Sequence, residues 1–181
     1  MNNIGNSEIN NFNNNNNNND SDIINTAIQL VKALSDPSTS TNPHQLHQVQ
    51  SAFQQLQKSP NGWNIANQLL LQHDLNCKFF GALTYTVNLN LHINSLKSAE
   101  TENENENFHN NNNILTLDSV TIELLNHFLN LIFNDSTISS NSMFVIRKIM
   151  TNFAFIYINN YNNWPNPILT TIGSIHSKQL L

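Results

Sequence analysis

Charge, cysteine and glycine are all scarce in this chain of 181 residues. Only 10% of its residues are charged, seven Lys and Arg against twelve Asp and Glu, where soluble domains carry roughly a quarter. There is no basic run, so the chain lacks the means to neutralise many phosphates, which argues against a nucleic-acid binder. A single cysteine, Cys77, excludes an intrachain disulfide and a multi-Cys zinc site, and fits a reducing compartment. Four glycines leave no Gly-rich loop to cradle a nucleotide phosphate. No apolar run reaches the ~20 residues that cross a bilayer. The most apolar stretch, Met143 to Ile158, is interrupted by Arg147, Lys148, Thr151 and Asn152. Met1 to Asp20 has neither the basic nor the apolar segment of a secretory signal. These absences predict a chain of the nucleus or cytoplasm with no membrane partner and no direct nucleic-acid partner.

What is abundant is asparagine, with 38 residues, about a fifth of the chain. Much of it falls in two low-complexity stretches. Residues 1–21, with the run Asn13 to Asn19, cannot bury enough apolar surface to offset ordering entropy and are predicted to be a disordered tail. Residues 98–113, with the core TENENENFHNNNN, are predicted to be a surface insertion. The remaining 22–181 form one unit. Mean hydropathy of -0.37 and 39% hydrophobic residues still permit a packed core.

Between the two stretches the hydrophobic period is helical. Ile24, Ala27, Ile28, Val31 and Leu34 share one face of a helix from Asp22 to Ser35, capped by Ser21 or Asp22 and stopped by Asp36-Pro37. Leu46, Val49, Phe53 and Leu56 stripe a second helix, Pro43 to Lys58, whose other face is Gln-rich. Ser59-Pro60 reads as the cap and first residue of a third, to about Gln72. A fourth, Asp74 to about His92, is apolar on more than one face and is therefore expected to be sandwiched. Gly81 inside it costs about 1 kcal/mol against Ala, which a close backbone approach would explain. A fifth begins at Asp118 and runs to about Phe133. The sixth, Ser142 to Asn159, ends in FAFIYI, which alternates like a strand, but its length and earlier spacing favour helix. Pro167 to Ser177 predicts a seventh.

Taken in order these helices pair up, with pairs starting near 22, 60 and 118. The fold class expected is all-α, an α-solenoid of three antiparallel pairs and the start of a fourth, as if taken from a longer array. Enzyme chemistry is not expected. His44 and His47 lie at i, i+3 but have no third metal ligand of matching spacing. Cys77 lacks a flanking base and sits in an apolar helix, and the seven His form no recognisable triad. No cofactor, metal or catalytic residue is therefore assigned.

Two stretches carry a family resemblance. QKSPNGWNIANQLL (Gln57 to Leu70) followed by CKFFGALTYTVNLN (Cys77 to Asn90) resembles the second HEAT repeat of importin-beta-type karyopherins. There a Gln-rich helix precedes an S-P/E-x-[GA]-[WF] start, an LL helix and an F-F-G-A helix. The matching residues are Ser59, Pro60, Gly62, Trp63, Leu69, Leu70, Phe79, Phe80, Gly81, Ala82 and Leu83. VIRKIMTNFAFIYI (Val145 to Ile158) and WPNPI, with Trp164 and Pro165, are similar to the third repeat and the opening of the fourth. The branch most resembled is the fungal relative of transportin-SR and importin thirteen.

The resemblance implies a HEAT-type solenoid forming the N-terminal region of a nuclear import receptor that shuttles between nucleus and cytoplasm. It implies Ran in its GTP form as partner, bound through the second helix of each pair. Protein cargo and nucleoporins would engage mainly repeats beyond these. Polar positions on the second helices are the implied Ran contacts: Gln50, Gln54, Lys58, Lys78, Tyr85, Asn88, Arg147, Lys148 and Asn152. Arg147 and Lys148 stand out as an adjacent basic pair. Family members often carry a basic residue near the end of the F-F-G-A helix, where this chain has Asn88 and Asn90, which would weaken electrostatic association. A helical-repeat adaptor or scaffold without Ran binding is the alternative left open.

Overall fold

In the computed structural model, residues 19–102, 117–133, 142–160 and Gly173 are described, and the secondary structure among them is entirely helical. In chain order the helices are α1 (Asn19–Ser35), α2 (Pro37–Ser40), α3 (Pro43–Gln57), α4 (Gly62–Leu70), α5 (Leu75–Glu102), α6 (Leu117–Phe133) and α7 (Met143–Asn160). The expected all-α class holds, and FAFIYI lies within α7. Trp164, Pro165 and, apart from Gly173, the seventh predicted helix lie outside the described residues.

Local chemistry explains most boundaries and corrects three. After α1, the Asp36 carboxylate accepts from the Ser38 N–H at 2.8 Å and Pro37 opens the short α2. Asn42 caps α3 by accepting from the Gln45 N–H at 3.3 Å, with Pro43 at the first position. Asp74 caps α5 through the Asn76 N–H at 2.8 Å. The first correction is at α1, which starts at Asn19, so Asn19 to Ser21 belong to the helix rather than to the tail, and Asp20 and Asp22 lie in its first turn, facing the positive end of the helix dipole. The second concerns Ser59, which does not cap α4. Its hydroxyl donates back to the Leu56 carbonyl at 2.7 Å, closing α3, and α4 begins at Gly62. The third is at α5, which continues ten residues past His92, through Ile93, which is buried, into the first part of the 98–113 stretch. No Pro or Gly interrupts it there.

α4 with α5 and α6 with α7 pack as antiparallel pairs laid side by side. Along α4 and α5, Trp63 meets Tyr85 while Ala66 and Leu70 meet Gly81, so the two run in opposite directions. Phe128 of α6 meets Phe153 of α7 with ring centroids 5.9 Å apart, while Leu131 lies by Val145, again antiparallel. The second helices run in the same direction. Phe53 of α3 lies against Phe80 of α5, centroids 5.3 Å apart, and Gln57 bonds Thr84 one turn on. Phe79 of α5 lies against Phe144 of α7, and Thr86 bonds Asn152 further along.

The α4–α5 pair serves two cores. Ile65, Leu69 and Cys77 join Ala27 and Val31 of α1 and Phe53 of α3. Ala66, Leu70, Ala82, Tyr85 and Leu89 join Val120, Leu124 and Phe128 of α6 and Val145, Ile149 and Ile156 of α7. The sandwiched placement expected of α5 is thus observed. Trp63, Phe79 and Phe80 are half-buried against these cores, and Leu69, Leu70, Gly81 and Ala82 are buried. A Cβ at Gly81 would stand 2.9 Å from both the Ala66 carbonyl oxygen and the Leu70 amide nitrogen. The missing side chain lets the α4 backbone lie directly on α5, which offsets the poor helix propensity of Gly.

Helix propensity alone makes Gly81→Ala stabilising by about 1 kcal/mol. Contact with α4 backbone predicts the opposite sign, because overpacking costs about 1–3 kcal/mol. Urea unfolding is expected to show Gly81→Ala less stable than the parent and Gly81→Val less stable still. A more stable alanine variant would show that the approach is not tight.

Candidate functional site

Helical geometry sorts the implied partner-binding residues into two groups. Gln50, Gln54 and Lys58 are exposed and recur every four residues, so they form one line along α3. Arg147 is exposed and Lys148 half-buried on α7. These five remain available to a partner.

Three others do not form part of that surface: Tyr85 and Asn152 are 0% exposed and Asn88 is 6% exposed, so the expectation that they face a partner is corrected. Lys78 is half-buried, as Lys148 is, and lines a cleft with His127 of α6 and Val145 and Ile149 of α7. On α5 the side opposite α4 is instead formed by Leu83, Val87, Asn90 and Asn94, of which the two asparagines are exposed. Their spacing of four, three and four marks them as one face.

The buried polar residues tie helices together. Asn88 Nδ2 donates to the Gln57 carbonyl at 3.1 Å and to the Thr84 carbonyl at 2.9 Å. The first bond satisfies a carbonyl left without a helical partner at the end of α3. Gln57 Nε2 in turn donates to Thr84 Oγ1 at 2.9 Å. Gly62 leaves room for this arrangement, since a Cβ there would stand 2.5 Å from Asn88 Oδ1. Asn152 Nδ2 crosses from α7 to the Ala82 carbonyl at 2.8 Å, and its Oδ1 accepts from Thr86 Oγ1 at 2.6 Å. Among the described residues no buried side-chain polar atom lacks a partner, as such a core requires.

A third polar cluster joins α4, α5 and α6. Asn67 Nδ2 donates to Glu123 Oε2 at 2.8 Å. Asn67 Oδ1 accepts from the Tyr85 hydroxyl and from His127 Nε2, the latter at 2.9 Å. This pattern assigns the His127 proton to Nε2. Burial, reinforced by the Glu123 carboxylate, pushes the Tyr85 hydroxyl pKa up and keeps it a donor. Burial also lowers the His127 pKa, partly opposed by Glu123. Cys77 is buried, and burial together with Asp74 raises its thiol pKa, so it behaves as a core residue. Among the described residues no group of three His, Cys, Asp or Glu is arranged to hold a metal, and no helix is long and apolar enough to cross a membrane.

Two outcomes follow from these bonds. Asn152→Ala removes both bonds that tie α7 to α5 and leaves the Thr86 hydroxyl only its longer 3.3 Å bond to the Ala82 carbonyl, at a cost of about 1–3 kcal/mol, readable in chemical denaturation. The pH response comes from His127. Its folded-state pKa lies below the ordinary 6.5, so the unfolded chain binds the proton more readily. The stabilising contribution is complete above about pH 6.5 and is lost as pH falls through the folded pKa. His127→Gln is expected to flatten stability against pH just below that value. An unchanged slope would mean the imidazole is not desolvated by α4 and α5.

Comparison with protein-family models, with curated proteins and with solved structures finds no match to the chain.

Proposed function

We propose that the chain is the N-terminal region of a nuclear transport receptor of the importin-beta type, a HEAT-type solenoid that binds the GTP form of Ran through its second helices. The observation that carries this reading is the same-direction alignment of α3, α5 and α7. α5 and α7 are each the second member of an antiparallel pair, and α3 packs against α1, which precedes it, as in a stacked helical-repeat array. The resemblance of the F-F-G-A helix to karyopherins adds the partner, and the tight contact at Gly81 gives that motif a physical role. On this reading α3 contributes Gln50, Gln54 and Lys58, α5 contributes Asn90, and α7 contributes Arg147 and Lys148. Protein cargo and nucleoporins would use further repeats, and the receptor would shuttle between cytoplasm and nucleus. Coupling between Ran and cargo is then a difference in affinity between two states of the solenoid.

The test is direct. The full chain is immobilised and exposed to Ran loaded with a GTP analogue or with GDP. Preference for the GTP form is expected. Arg147→Glu with Lys148→Glu is expected to weaken binding by about tenfold or more, since each charge reversal at a polar interface costs on the order of 1 kcal/mol. A helical, folded chain that shows no preference for the GTP form contradicts the reading.

A further inference from the structure

Asn61-Gly62 is the one Asn-Gly step in the chain. It lies in the turn between α3 and α4, with Asn61 half-buried and Gly62 buried. The Asn61 carboxamide makes no capping bond at the start of α4. An asparagine before glycine is chemically reactive, because glycine has no Cβ to shield its own backbone nitrogen. When that nitrogen loses its proton to solvent hydroxide, it attacks the asparagine Cγ. The bond from Cγ to the carboxamide nitrogen breaks, ammonia leaves and a five-membered succinimide closes. Water then opens the ring at either carbonyl. One product is Asp. The other is isoaspartate, in which the main chain runs through the former side chain and is longer by one methylene. Water is consumed, ammonia is released, and no oxidant or reductant is needed.

We propose that Asn61 is a self-modifying deamidation site that the fold keeps shut, and that isoaspartate, once formed there, prevents the α3–α4 turn from re-forming. The fold withholds each requirement of the reaction. The Gly62 N–H donates to the Ser59 carbonyl at 2.9 Å, which holds the proton that must leave. Asn61 has ψ of 4°, so the Gly62 nitrogen eclipses the nitrogen of Asn61 itself. The ring instead needs the Gly62 nitrogen in one plane with the Asn61 Cβ, which requires a large rotation about ψ. That rotation is opposed from two sides. The Asn61 carbonyl accepts from the Ile65 N–H at 2.9 Å, and turning ψ breaks this bond at the start of α4. Around Gly62, the place a Cβ would take is occupied by the Gln57 carbonyl and the Asn88 carboxamide, so the peptide has no space to swing.

The same contacts make the isoaspartate product incompatible with the turn. Its extra methylene displaces Gly62 from the slot between Gln57 and Asn88. The Gly62 bond to Ser59 and the Asn88 bond to the Gln57 carbonyl are then lost together. The former Asn61 carbonyl becomes a free carboxylate outside the main chain, so α4 also loses its first bond. An Asp product differs, since it keeps the main-chain length and its carboxylate stands at the N-terminal end of α4, where negative charge is favourable. Reaction therefore requires the turn to open, and the isoaspartate product records that opening irreversibly. This inference is independent of the Ran reading, which uses none of the residues from Ser59 to Gly62.

The full chain is incubated near neutral pH at body temperature, once in native buffer and once in guanidinium chloride. The peptide containing Asn61 is followed by mass spectrometry for conversion of amide to acid. In denaturant Asn61 is expected to react fastest of all the asparagines. In native buffer it is expected to react at least about tenfold more slowly, because a shut site reacts only during the fraction of time it is open. This comparison uses the unaltered protein, so it does not depend on a variant folding. The isoaspartate and Asp forms made in denaturant are then separated, returned to native buffer and unfolded in urea beside Asn61→Asp. The isoaspartate form is expected to unfold at lower urea than Asn61→Asp or not to refold, and the Asp form to match the variant. Native protection of less than about tenfold, another asparagine reacting faster in denaturant, or equal midpoints for the isoaspartate and Asp forms overturns the proposal.

Discussion

Contact between the backbones of α4 and α5 at Gly81 is the constraint on which the other packing depends. It fixes how deeply α4 sits on α5 and hence which residues of the pair point to each side. With that distance set, Ile65 and Leu69 reach α1 while Ala66 and Leu70 reach α6 and α7. Cys77 and Phe80 point one way and Ala82, Tyr85 and Leu89 the other. A pair with two apolar sides is unstable alone in water and needs a neighbour on each flank. The flanking pairs supply them, so one small residue organises three layers.

Asparagine takes a second structural role. Asn67, Asn88 and Asn152 each bridge two or more helices, and two of them bond backbone carbonyls. A carboxamide supplies donors and an acceptor without charge, so it joins helices across an apolar core without the desolvation cost of an ion pair. A chain poor in Lys, Arg, Asp and Glu thus fixes helix register with amides. Register matters for a surface built from several helices, because the outward positions of α3, α5 and α7 align only if the helices do not slide.

Six of the seven described helices, the sandwiched α5 and the role of Gly81 were legible from hydrophobic spacing and from the cost of Gly in a helix, whereas the four-residue α2 is too short to show a period. Cap positions were less so: Ser59 precedes a proline, yet its hydroxyl turns back to close α3. The buried amides were misread because Asn counts as polar in a hydrophobic pattern. Their spacing carried the signal nonetheless. Val145, Ile149, Asn152 and Ile156 follow the steps of four, three and four of one buried stripe, and Ala82, Tyr85 and Leu89 follow steps of three and four on α5. The cluster of Asn67, Tyr85, Glu123 and His127 was not legible at all, since these residues come from three helices and meet only when the pairs stack.

If the α4–α5 contact organises the molecule, local stability is greatest there and falls outward. Native-state hydrogen exchange on the full chain reads this directly. Amides from Ala66 to Leu70 and from Gly81 to Leu89 are predicted to exchange slowest, with α1, α3 and the far end of α7 opening at lower free energy. Faster exchange in the middle of α5 than in α1 or α7 would contradict the account.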